Sequence, residues 1–191
     1  MSLARQNYHV ECEAAVNKQI NLEFYASYVY DSMSAYFDRD DVALPGFSAF
    51  FRHQADEERE HAFMFIKFQN TRGGRVVLQP IPKPSKDEWG SGLDAMKSAL
   101  EIEKETNQAL LDLHKMASKH HDTQMGDFIE ETQLTMMVEE IKHISDYITT
   151  LQKVGPGLGE WLFDKEHLQH EYMKNGCGEK KPAAEGDAKL T

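Results

Sequence analysis

A carboxylate set in the middle of a core-facing helical stripe limits what this chain can become more than any other feature. In the run Asp56-Glu57-Glu58-Arg59-Glu60-His61, Glu58 and His61 stand three residues apart, and no Gly or Pro interrupts the surrounding segment. On a helix that spacing is about 300° of rotation, so both side chains leave nearly the same face, one turn apart. A carboxylate and an imidazole so placed make half of a two-metal carboxylate site, which needs further Glu residues from facing helices. The pair alone is weak, because acidic helices produce it by chance as a solvated face. Partners are present, however. Around Glu23 the positions Val16, Ile20, Ser27, Tyr30, Ser34 and Phe37 recur at helical spacing, and Glu23 falls inside that stripe. Around Glu103 the same holds for Met96, Leu100, Leu110, Leu111 and His114. A buried carboxylate is costly unless it is neutral, paired or bound to a metal. Three helices that each offer an inward carboxylate, one with His a turn away, therefore point to a metal centre inside a bundle. The competing reading leaves the Glu residues at the stripe edges, in water.

The chain has 191 residues, enough for one domain with a sizeable core. With 32 acidic against 21 basic residues its formal net charge is −11. That argues against nucleic acid or an anionic membrane as partner and suits the collection of cations. Cys12 and Cys177 lie at opposite ends without metal-type spacing, which predicts reduced thiols in a cytoplasmic setting. The N-terminal residues carry no apolar segment of the secretory kind, and no run of eighteen apolar residues occurs.

Helical period dominates and strand alternation is nearly absent. The pattern predicts helices at about 10–38, 45–72, 92–120 and 124–153, and a short fifth helix at about 159–170. Pro45 opens the second helix and Gly73-Gly74 closes it, while Gly155-Pro156-Gly157 breaks the chain after the fourth. The connection at 74–91 is long and carries Pro80, Pro82 and Pro84. Two short turns and one long crossover describe an all-α, four-helix bundle with a single crossover and a short fifth helix. Residues 1–173 read as that domain, and 174–191 have the composition of a disordered tail. Glu23 to Glu58 is 35 positions and Glu103 to Met137 is 34, so each helical hairpin offers an inward position at matching depth.

Several long motifs resemble the ferritins, and among them the catalytic, heavy-chain-like animal subunits. They are Arg5-Gln-Asn-Tyr-His9, Ile20-Asn-Leu-Glu-Phe-Tyr-Ala-Ser-Tyr-Val-Tyr30, Phe37-Asp-Arg-Asp-Asp-Val-Ala-Leu44, Glu57-Glu-Arg-Glu-His-Ala62, Gln69-Asn-Thr-Arg-Gly-Gly-Arg75 and Leu162-Phe-Asp-Lys165. The likeness runs from about Arg5 to Leu168. It implies a ferritin-like bundle, twenty-four copies of which form a hollow shell that oxidises Fe(II) with O2 and stores a ferric mineral. By the same resemblance Glu23, Glu58 and His61 ligate a first iron, Glu58 bridges, Glu103 holds a second, and Glu57 is a mobile extra ligand. Tyr30, two turns beyond Glu23, is expected to hydrogen-bond near the di-iron centre and to donate an electron; its other reading is an ordinary core aromatic. His114, Asp127 and Glu130 match residues lining a threefold entry channel, where a ring of carboxylates concentrates cations. Acids in a first helical turn would also suit the helix dipole. Glu57 and Glu60 match mineral-nucleating carboxylates, although Phe63 stands where many subunits have another acid. At the fourfold pore Leu162 is retained and Glu166 replaces a His.

The fourth helix departs from the family pattern. Most catalytic members carry Gln at the place of Met137 and an acid at the place of Met136. A thioether is a poor ligand for hard iron and a weak hydrogen-bond acceptor. Yet Gln133, Met137, Glu140, Ile144, Tyr147 and Leu151 form one stripe with spacings of 4, 3, 4, 3 and 4, which turns Glu140 inward. Glu140 is thus expected to supply the second iron's missing ligand. The alternative tilts it to the surface with Glu139. His143 is expected at the surface. Three functional readings compete: a ferroxidase storage shell, a catalytically slow structural ferritin subunit that relies on other subunits, and a small di-iron oxygenase. Fold alone does not choose among them.

Overall fold

Four long helices form where the periodic segments lie. The computed structural model describes residues 2–173, so the expectations for the tail and for Cys177 fall outside the described residues. Helix α1 spans Val10–Phe37, α2 Pro45–Thr71 and α3 Gly92–Lys119. Helix α4 occupies 123–154 and α5 occupies 158–172. The short α1–α2 and α3–α4 turns make antiparallel neighbours, and the long segment between α2 and α3 carries the chain along the bundle. Among the described residues no helix is long and apolar enough to cross a membrane.

The boundaries have local causes. Ser91 and Asp94 form a reciprocal capping box at the start of α3. Helix α2 has Pro45 in its first turn but no cap from its own N-terminal residue. That end is served from a distance: the backbone N–H of Phe47 donates to Asp164 Oδ1 at 2.9 Å, and Gln169 holds Oδ2 at 2.7 Å. Asp164 is buried, so a carboxylate of α5 complements the positive end of α2. Gly73 ends α2 with φ +72°, and a Cβ there would lie 2.6 Å from the backbone N of Arg5. Just before it, Arg72 grips Asp122 with two hydrogen bonds of 2.7 and 2.9 Å, tying the end of α2 to the start of α4.

Helix α4 is not the uniform helix expected. It runs as Thr123–Ile129, a π-helical stretch Glu130–Leu134, and then Thr135–Val154. Its buried positions Met125, Ile129, Gln133 and Met137 are each four residues apart. An unbroken α-helix would rotate such a series off the core, whereas a wider turn keeps it in phase. The fifth helix likewise contains a π stretch, Phe163–Leu168. On α3, Leu111 is exposed and Leu113 is the buried neighbour of Leu110, because one residue beyond Leu110 is about 100° around the helix.

The core is split into two apolar halves. One contains Tyr30, Phe37, Phe47, Phe51, Ala99 and Ile144, and the other contains Val16, Ile20, Phe65, Leu110 and Met137. On every long helix a glutamate lies between the halves: Glu23 between Ile20 and Tyr30, Glu58 between Ala55 and Phe65, Glu103 between Ala99 and Leu110, and Glu140 between Met137 and Ile144. The bundle thus encloses one acidic layer at mid-height.

Candidate metal centre

Three of the four glutamates in this layer are almost fully buried: Glu23 at 0%, Glu103 at 1% and Glu58 at 3% exposure. Helical phase places them there, since each occupies a stripe position that an apolar residue fills one turn away. One oxygen of Glu23, one of Glu58 and a ring nitrogen of His61 lie within 4.8 Å of one another. His61 Nδ1 is 3.6 Å from Glu58 Oε2, beyond hydrogen-bond reach. Glu23 Oε2 and Glu58 Oε2 accept no hydrogen bond among the described residues. Two buried carboxylate oxygens without donors, beside an imidazole, could hold a cation such as Fe(II).

The electrostatics agree. Burial pushes the carboxyl of Glu23 well above the usual range, and the charge of Glu58 raises it further. Glu58 is raised by burial and by the charge of Glu103. Glu103 is pushed up to about 8 by burial, against the hydrogen bond from Tyr30 that lowers it. Burial thus biases all three carboxyls toward their protonated forms.

Tyr30 is fully buried and its hydroxyl donates to Glu103 Oε1. It stacks on Phe51 with ring centroids 6.1 Å apart. Burial and the charge of Glu103 raise its phenol well above the ordinary value. Glu140 is half-buried and faces inward, and its carboxyl is pushed up to about 7 by burial and then by the charge of Glu57. Gln54 Nε2 donates to Glu140 Oε1 at 2.8 Å. The surface alternative for Glu140 does not hold. Met137 is buried at the edge of the layer, while Met136 is exposed.

Sequence reasoning missed two amides. Gln19 Nε2 donates to Glu23 Oε1 at 2.7 Å, and Gln54 serves Glu140. Each precedes a layer glutamate on its own helix by four residues, a signal that was there to be read. Gln133 is also buried, and its Nε2 makes no hydrogen bond among the described residues.

The other expected site residues lie at or near the surface. Glu57 is half-exposed with His53 Nε2 3.5 Å away, and Glu60 and Phe63 are exposed. His114 Nε2 meets Glu130 Oε1 at 2.5 Å, which joins α3 to the π stretch of α4, and Asp127 is exposed nearby. On α5 Leu162 and Glu166 are exposed. His143 is not at the surface as expected; it is half-buried with its ring 4.2 Å from that of Tyr147.

Comparison with known proteins gives the family. The ferritin-like domain family matches residues 13–154. Soma ferritin of Lymnaea stagnalis is 63% identical over 88% of this chain and 97% of its own length. The ferritin middle subunit of Aquarana catesbeiana is 56% identical over 88% of this chain and 98% of its own. The ferritin heavy chain of Echinococcus granulosus is 54% identical, again over 88% and 98%.

Proposed function

The chain belongs to the ferritin family of iron-storage proteins, and we propose on that premise that it is a ferroxidase subunit of a hollow 24-subunit shell. Fe(II) is the substrate, O2 the oxidant and a ferric mineral the stored product. The carrying observation is the acidic layer: three buried glutamates and His61, with two carboxylate oxygens lacking donors.

The chain's own groups divide the work. Glu23 and His61 hold one Fe(II), Glu58 spans to a second, and Glu103 and Glu140 hold that second ion. Two Fe(II) fixed together each yield one electron to the same O2, which a lone ion does less readily. Carboxylates that are protonated without a cation charge as the ions enter, so loading releases protons. Gln54 and Gln19 orient Glu140 and Glu23. Tyr30, bonded to Glu103, is placed to pass an electron into the centre. Glu57 is partly exposed and can carry ferric product outward to Glu60, and on to nucleation. His114, Asp127 and Glu130 line the entry channel. The net charge of −11 favours cation capture over nucleic-acid or membrane binding, and the protein works in the cytoplasm, alone or in shells mixed with other ferritin subunits.

One observation favours a second reading, a catalytically slow structural subunit: Met137 puts a thioether at the edge of the layer, in a place suited to a metal-directed amide. A single experiment separates the two. The double substitution Glu58→Lys and His61→Gly should abolish fast Fe(II) oxidation in stopped-flow absorbance. The shell should still elute as a cage on a sizing column, because the layer lies within one bundle. An unchanged initial rate in the double variant would show that oxidation occurs elsewhere.

A further inference from the structure

A second group of ligating side chains converges at the end of the bundle, away from the acidic layer. One donor atom each of His9, Glu11 and His120 lies within 4.8 Å of the others. His9 is the N-cap of α1, Glu11 is in its first turn, and His120 is the C-cap of α3. Packing of α1 against the end of α3 brings them together across more than a hundred residues of sequence. His120 Nε2 lies 2.9 Å from Glu11 Oε2. The two imidazole rings stack at 3.7 Å between centroids with planes 12° apart. Glu11 lies twelve residues before Glu23, roughly 18 Å along α1, so this group is separate from the iron site.

We propose that His9, Glu11 and His120 form a surface site for one zinc-class divalent cation, Zn2+ or Cu2+, with water completing the coordination. The donor set decides the class. Two imidazoles and one carboxylate make a three-ligand set common for zinc, and imidazole nitrogens favour Cu2+ and Zn2+ over Fe2+. The geometry is close to what an ion needs. Two nitrogens on one tetrahedral Zn2+ sit about 3.3 Å apart for bonds near 2.0 Å. The stacked rings need only fan open so that each lone pair points at the same ion. His9 and Glu11 are exposed, whereas His120 is only 16% exposed and packs against the start of α1.

Three existing contacts compete with the ion, the first being the His120 Nε2–Glu11 Oε2 hydrogen bond, whose proton the ion must displace. His9 Nδ1 accepts the backbone N–H of Glu11 at 3.2 Å, a long bond that ligation at that nitrogen must displace. Lys119 Nζ donates to Glu11 Oε2 at 2.6 Å, and the ion takes its place. Once bound, the ion ties the start of α1 to the end of α3. The site does not depend on the ferroxidase reading, since none of its residues touches the acidic layer.

The test is a calorimetric titration of the intact, metal-stripped protein with ZnCl2. The Glu58→Lys, His61→Gly protein, whose acidic layer is cleared, is compared with the same protein carrying His120→Ala. Wild-type ligands should bind about one more Zn2+ per chain. The substitution should weaken that event by more than about 100-fold, since loss of even an outer partner costs roughly 10–100-fold. Cu2+ should show nitrogen hyperfine coupling in electron paramagnetic resonance that His120→Ala reduces. Glu11→Gln is the companion variant, which keeps the helix end intact if His120→Ala fails to assemble, and it should also lose the tight Zn2+. Identical Zn2+ stoichiometry and affinity with and without the triad would overturn the proposal. In the otherwise wild-type protein, His120→Ala should leave Fe(II) oxidation unchanged.

Discussion

Replacing Glu140 by Gln separates what this carboxylate costs the fold from what it contributes to the chemistry. Its carboxyl is pushed up from 4.5 to about 7, first by burial and then by the charge of Glu57. Folding therefore favours the neutral form. The contribution is fully present below the unfolded value of 4.5 and is lost as pH rises through about 7. Each pH step of one between those two values removes about 1.36 kcal/mol. The cation-free protein thus gives up about 1 kcal/mol from this group by pH 5 and about 3 kcal/mol by pH 8. Glutamine does not titrate, fills the same volume and still accepts the bond from Gln54 Nε2. Denaturation of metal-free protein should therefore show Glu140→Gln more stable than wild type by about 3 kcal/mol at pH 8, and by only about 1 kcal/mol at pH 5. The same variant should oxidise Fe(II) about tenfold more slowly or worse, a loss of at least about 1.4 kcal/mol of transition-state stabilisation. A stability gain equal at both pH values would refute the buried, ionisable Glu140. Unchanged oxidation kinetics would refute its role as ligand and leave it as the partner of Gln54 alone.

Tyr30→Phe removes the donor to Glu103. A hydrogen bond to a charged group contributes about 1.5–3 kcal/mol, so the Glu103 carboxyl, already at about 8, should rise further. The pH profile of Fe(II) oxidation should move to the alkaline side by roughly one to two pH units, and an unshifted profile would detach Tyr30 from Glu103. Asp164→Ala strips the distant cap from α2 and leaves the N–H of Phe47 buried without its acceptor. A loss of about 1.5–3 kcal/mol in denaturation is expected; a change within about 0.5 kcal/mol, as for ordinary surface positions, would rule out the cap.

The helical elements and the acidic layer were legible in the chain because both follow from local periodicity. A glutamate three or four residues from apolar neighbours on each side must share their face, whichever helix comes to cover it. Glu23, Glu103 and Glu140 are legible on that ground and Glu58 through its spacing to His61, and their burial follows from helical phase. Gly73, Gly155 and Gly157 marked helix ends because positive φ angles select glycine. What needed the tertiary structure was every choice of partner. Periodicity turned Glu140 inward but did not say that Gln54 of α2 would meet it. The π stretch at Glu130–Leu134 arises because packing demands that four positions spaced by four stay in the core, a demand set by the neighbouring helices. Asp164 capping α2, and His120 meeting His9 and Glu11, join residues more than a hundred positions apart. Such contacts depend on how the helices are brought side by side, and sequence periodicity carries the direction of a side chain but not the identity of what it meets.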